Sequence, residues 1–156
     1  MKKLSLLLNV VLLAVIAYGG YKFLIEGSVK PSDDGRTAII LLGDERDFVL
    51  GEMRGFLETV EGIVTGIAEN DMEAVATVAT AAGMGSVGGE TAALIGKLPL
   101  EFKTLGLDTH ALFDDLAAAA TESNDPAIVT AKLSALMQNC TGCHASYRFD
   151  VEGTGK

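Results

Sequence analysis

The first 25 residues limit how the rest of this chain can fold. Lys2 and Lys3 are followed by an apolar run from Leu4 to Ile25, interrupted only by Ser5, Asn9, the Gly19-Gly20 pair and Lys22. That is about the length needed to cross a hydrocarbon core. A cleaved signal peptide is the alternative. Val15-Ile16-Ala17 offers a small-residue cleavage pattern, but no polar region precedes it and apolar character resumes at Phe23-Leu24-Ile25. The run therefore reads as a retained anchor over residues 1–25. The lysines at the extreme N-terminus should stay cytoplasmic, which places the remainder across the inner membrane, in a bacterium the periplasm.

Residues 26–43 read as a linker and lead-in: "EGSVKPSDDGR" is a polar connector, and "TAIILL" is either a short extended stretch or an apolar lead-in. The domain proper spans 44–150, with 151–156 as a flexible tail. Helical spacing dominates it. Leu50, Met53, Leu57, Val60, Val64 and Ile67 recur at threes and fours and predict one buried stripe, with Asp44 as its N-cap. A second helix is expected from Asp71 to Ala82, ended by the breaker "GMGSVGG". A third region runs from Thr91 to Ser123, broken or bent at Pro99 and near Gly106. Asp125-Pro126 opens the last helix as N-cap and first residue. Along it Val129, Leu133, Leu136, Cys140, Cys143 and Tyr147 again repeat at four and three, putting the cysteines on the core face.

Charge narrows the partners. The chain has 21 acidic and 12 basic residues, and the excess of acid lies beyond residue 29. Such a surface argues against nucleic acid, which needs clustered Lys and Arg. It would steer a basic partner protein, or simply keep the domain soluble.

Both cysteines fall in "NCTGCHASYR", residues 139–148. Two cysteines with two residues between them serve thiol–disulfide exchange, zinc ligation or covalent haem attachment. Zinc needs four ligands, and only Cys140, Cys143, the adjacent His144 and the distant His110 are on offer. A redox pair is expected at a helix start among strands, whereas this one lies near the end of a helical chain. His144, directly after the second cysteine, favours haem: the cysteines would anchor the two vinyl groups and the imidazole would reach the iron. Met53 and His110 are candidates for the opposite axial position, although packing accounts for the first and capping for the second.

Four helical segments with short connections describe a four-helix bundle. Together with "CTGCHASYR", this resembles the class II cytochromes c, the cytochrome c′ family, which attach haem near the C-terminus of such a bundle. Arg46, Leu50 and Met53 are similar to the family's first-helix pattern, and Leu98, Pro99 and Phe102 to its Leu-Pro-x-x-Phe segment. The resemblance covers roughly residues 44–148. It implies an all-α bundle behind a transmembrane helix, carrying one haem c on Cys140 and Cys143 with His144 as axial ligand. It also implies that Arg148 or Arg46 pairs with a haem propionate, that Tyr147 and Phe102 pack against the macrocycle or neighbouring helices, and that Leu50 covers the distal side.

The expected activity is electron transfer rather than substrate turnover. Its partners would be membrane lipid and redox proteins, with this chain serving either as a partner or as a subunit of a membrane oxidoreductase. A five-coordinate haem binding NO or CO is the alternative.

Overall fold

The computed structural model describes residues 2–153; within the expected tail, 154–156 lie outside the described residues. Helix α1 (Lys2–Tyr21) carries the apolar run and continues through one wider turn over Lys22–Glu26, where a 2.7 Å ion pair joins its two ends. Residues 3–26 form a helix long and apolar enough to cross a membrane. The rest of the chain leaves its side chains uncovered: Leu13 and Ile16, for example, are 66% and 68% exposed. The turn ends at Gly27, whose φ of +71° suits glycine, and whose absent Cβ would collide with the Lys97 carbonyl and Leu98.

The segment expected to be a linker is structured. Strand β1 (Val29–Pro31) and strand β2 (Thr37–Leu41) form an antiparallel pair with Val29 opposite Ile39 and Pro31 opposite Thr37. A third strand, β3 (Tyr147–Val151), lies parallel to β2 with Thr37 opposite Tyr147 and Leu41 opposite Val151. The chain is mostly helical, as expected, but not wholly so. "TAIILL" is extended because Ala38, Ile39 and Leu41 are all fully buried between neighbouring strands and helices. Tyr147 and Arg148 belong to β3 and not to the preceding helix.

Helices α2 (Gly43–Glu69), α3 (Met72–Ala81), α4 (Ala92–Lys97), α5 (Leu100–Ser123) and α6 (Pro126–Ser146) fill the crossover between β2 and β3. Packing runs from α2 to α3, α3 to α5, α5 to α6 and back from α6 to α2. Local chemistry sets their ends. Asp71 accepts from the Ala74 N–H and Asp125 from the Ala127 N–H, as their N-cap positions imply. Asp44 is not a cap: α2 starts one residue earlier, and the Glu45 carboxylate accepts the Leu42 N–H at 2.8 Å while pairing with Lys97 at 2.7 Å. Pro99 separates α4 from α5, since it lacks the N–H a continuous helix would need, whereas α5 runs unbroken through Gly106.

Two apolar clusters result. The larger contains Ile63, Val75, Phe113, Leu116, Val129 and Leu136, and the smaller contains Ile39, Leu41, Val49, Leu94, Leu98 and Phe102. Here the α2 stripe differs from expectation. Met53, Val60 and Ile67 do face the clusters, but Leu57 is 69% and Val64 51% exposed. Their places are taken by Phe56 and Ile63, one residue earlier in each case. The helix turns at 3.6 residues, and α3 and α5 select which side of an apolar-rich helix is covered.

These faces differ sharply in energy. In urea titrations of the detergent-solubilised chain followed by circular dichroism, Ile63→Ala should cost about 2–5 kcal/mol. Leu57→Ala should stay within about 0.5 kcal/mol of wild type.

Candidate functional site

Helix α6 presents Val129, Leu133 and Leu136 to the core, all buried, and then Cys140 and Cys143, both half-buried free thiols. Cys140 packs against the larger cluster and Cys143 against the smaller. The pair therefore marks the place where the two cores meet along one helix. At about 100° per residue, Cys143 lies about 60° to one side of Cys140 and His144 about 40° to the other. All three project within one arc, but the apolar cover stops at Cys143. His144 is exposed, and its imidazole bonds no other group among the described residues, while its carbonyl accepts from Arg36 at 3.4 Å.

Burial pushes both thiols up from their ordinary pKa, Cys143 further helped by the neighbouring Cys140. At neutral pH they are S–H groups in an apolar setting, which is poor for a thiolate nucleophile or a zinc ligand. Among the described residues no group of three or more His, Cys, Asp or Glu is gathered to hold a metal ion.

Several of the residues expected around this motif do converge. Met53, Phe102 and Tyr147 pack in the same cluster as Cys143, joined by Phe149, which sequence reasoning missed. Phe102 meets Tyr147 edge-on at 5.5 Å and Phe149 at 5.7 Å. The Tyr147 hydroxyl donates to Glu101 at 3.1 Å, and burial followed by this carboxylate pushes its pKa up to about 12. Leu50 is half-buried on α2.

Other expected residues lie in different company. Arg148, carried into β3, pairs with Asp150 at 3.0 Å and Asp34 at 3.4 Å. Arg46 pairs with its neighbour Asp47 at 3.7 Å. His110 is occupied elsewhere: its Nδ1 contacts the Ala82 carbonyl at 2.8 Å, and its ring meets Phe56 edge-on at 5.0 Å.

Two further residues, both overlooked in the polar connector, secure the end of α6. Arg36 reaches the carbonyls of His144 and Tyr147 at 3.4 and 3.3 Å, and is itself gripped by Asp34 at 2.6 Å. The Arg36 guanidinium holds the Asp34 carboxyl well below the usual carboxylate range; Lys30, then Arg148, lower Asp150. No sequence signal ties Arg36 to residues 144–147, because the contact is made only once β2 and β3 are paired.

Neither the protein-family models, nor curated proteins, nor solved structures give a match to this chain.

Carboxyls depressed in the folded state add stability that is present above their unfolded pKa, near 4, and lost as pH falls through the folded values. The melting temperature should therefore drop on acidification below about pH 4. In Asp34→Asn with Asp150→Asn the drop over that range should be shallower, as a thermal series from pH 5 downward would show.

Proposed function

We propose that this chain is a membrane-anchored, periplasmic monohaem c-type cytochrome that transfers electrons. In this reading α2, α3, α5 and α6 form a four-helix bundle around the haem, and α1 holds it in the inner membrane. The observation that carries it is the order of exposure along α6: buried leucines, then two half-buried thiols, then on the same arc an imidazole that bonds no other group among the described residues.

The donor set suits the group. Both cysteines are free, and a reduced cysteine can add its sulfur and hydrogen across a vinyl double bond to give a thioether, while the open His144 imidazole would have a lone pair to offer iron. Haem c, when bound, supplies a one-electron iron couple. The chain's own contribution is the apolar wall of Met53, Leu98, Phe102 and Tyr147 beside Cys143, which would limit water on that side. Cys140 and Cys143 would hold the group in place, and His144 would supply a ligand to its iron. The acidic domain and the anchor suit a basic or membrane-bound redox partner, such as an oxidoreductase in the same bilayer.

Met53 is engaged in packing and Leu50 has no donor atom. That favours His144 as the sole protein ligand, which also keeps NO or CO binding as a second reading.

Coexpressed with a cytochrome c maturation system, the purified chain should show c-type haem absorbance that survives acid–organic extraction. Cys140→Ala with Cys143→Ala should lose that covalent haem. A wild-type protein without haem would overturn the assignment. A low-spin six-coordinate resting spectrum lost on Met53→Ala would retain the cytochrome but remove the gas-binding reading. For localisation, the mature protein should resist carbonate extraction from membranes; a soluble form starting at Tyr18 would refute the anchor.

A further inference from the structure

The end of α1 does not lead into a free tether. It is bolted to the corner where α4 meets α5. The Ser28 N–H donates to the Lys97 carbonyl at 2.7 Å, and Gly27 lies so close to Lys97 and Leu98 that a side chain there would collide. The Phe23 ring covers Gly96, where a Cβ would strike it. Lys103 Nζ donates to the carbonyls of Phe23 and Leu24 at 3.1 and 3.2 Å. These contacts fall on both sides of Pro99, so two helices grip one end of the anchor.

Depth follows from length. The 24 residues from Lys3 to Glu26 rise about 36 Å at 1.5 Å each, against a hydrocarbon core of about 30 Å. Phe23 to Ile25 then sit at the headgroup boundary, and any group touching them sits there too. Gly96 and Lys103 touch them. Beside these two, Ile95 is 39% and Leu100 44% exposed, apolar side chains at a level where water gives way to acyl chains. Lys103 on the same corner is the residue type that reaches along such a boundary.

We propose that the α4–α5 corner is a second membrane contact, with Ile95 and Leu100 inserted into the headgroup–acyl boundary of the bilayer that α1 crosses. The domain is then held at one orientation and does not swing on a linker. This rests on the membrane-spanning reading of α1. It also bears on function: Leu98 and Phe102 of the docked corner belong to the cluster that holds Cys143. The proposed electron-transfer site would face partners embedded in the same membrane sooner than soluble carriers.

The chain contains no tryptophan, so a single introduced indole reports its own surroundings. Full-length Leu12→Trp, Ile95→Trp, Leu100→Trp and Glu122→Trp are reconstituted in phosphatidylcholine vesicles whose acyl chains are brominated either shallowly or deeply. Each variant is read as a ratio to its own emission in unbrominated vesicles, which cancels quenching fixed within the protein. Shallow bromines should lower emission at positions 95 and 100 about twofold, as for rings at the headgroup boundary. Glu122, about 33 Å along α5 from Leu100, should be unaffected. Quenching of Leu12→Trp by deep bromines with none at 95 and 100 overturns the docking and leaves the span intact. Quenching at 122 equal to that at 100 overturns the corner as the contact. Absence of quenching at 12 refutes the span itself.

Discussion

The parallel pairing of β2 with β3 is the constraint on which the rest of the molecule depends. Parallel neighbours cannot be joined by a tight turn; they need a crossover, ordinarily one helix. Here the crossover is the entire helical domain, α2 through α6. The sheet thus fixes where that domain begins and ends. Because β1 continues directly from the turn after α1, the same three strands bring the root of the apolar helix, the start of α2 and the end of α6 together.

That arrangement explains how the cysteine-bearing turn is positioned. Helix α6 is capped at one end by Asp125 and stopped at the other because Tyr147 is drawn into extended pairing opposite Thr37. Arg36, at the mouth of β2, binds the last carbonyls of the turn, and Asp34 holds Arg36 in place. The two thiols therefore sit on a segment restrained from both sides, with one core behind each. Rigidity of this kind suits a site whose chemistry depends on holding a group and not on moving.

Where local chemistry determines structure, the sequence was informative. Asp71 and Asp125-Pro126 start helices because a carboxylate accepts an orphan N–H and proline lacks one, and Pro99 ends α4 for the same reason. The apolar run of α1 and the core face of α6 up to Cys143 were legible for similar reasons of length and period. The failures lie where tertiary partners choose. In α2, Leu57 and Phe56 are adjacent and both apolar, so only α3 and α5 settle which is covered. In "YRFDV" the helical spacing from Cys143 to Tyr147 masked an alternation of Tyr147, Phe149 and Val151 with Arg148 and Asp150 that marks a strand. The ion pairs of Arg148 with Asp34 and Asp150 then follow from the sheet. As to the candidate site, the inward placement of Met53 on α2 and of Cys140 and Cys143 on α6 was legible from their spacing, whereas the joining of Met53, Phe102, Tyr147 and Phe149 in one cluster with Cys143, and the grip of Arg36, depended on the unseen strand pair.

The order of the strands along the chain also has a temporal side. β1 and β2 are made well before β3, with five α-helices between them. Arg36 and Tyr147 are 111 residues apart, a wait of about 6–22 s at the usual pace of a ribosome. Throughout that interval one side of β2 has no strand to bond, although Ala38, Ile39 and Leu41 are residues that the finished fold buries completely. An open, apolar strand edge is a template for pairing with other chains. The nascent protein is thus most prone to aggregation until β3 has been made, and a chain lacking β3 would carry that vulnerability permanently.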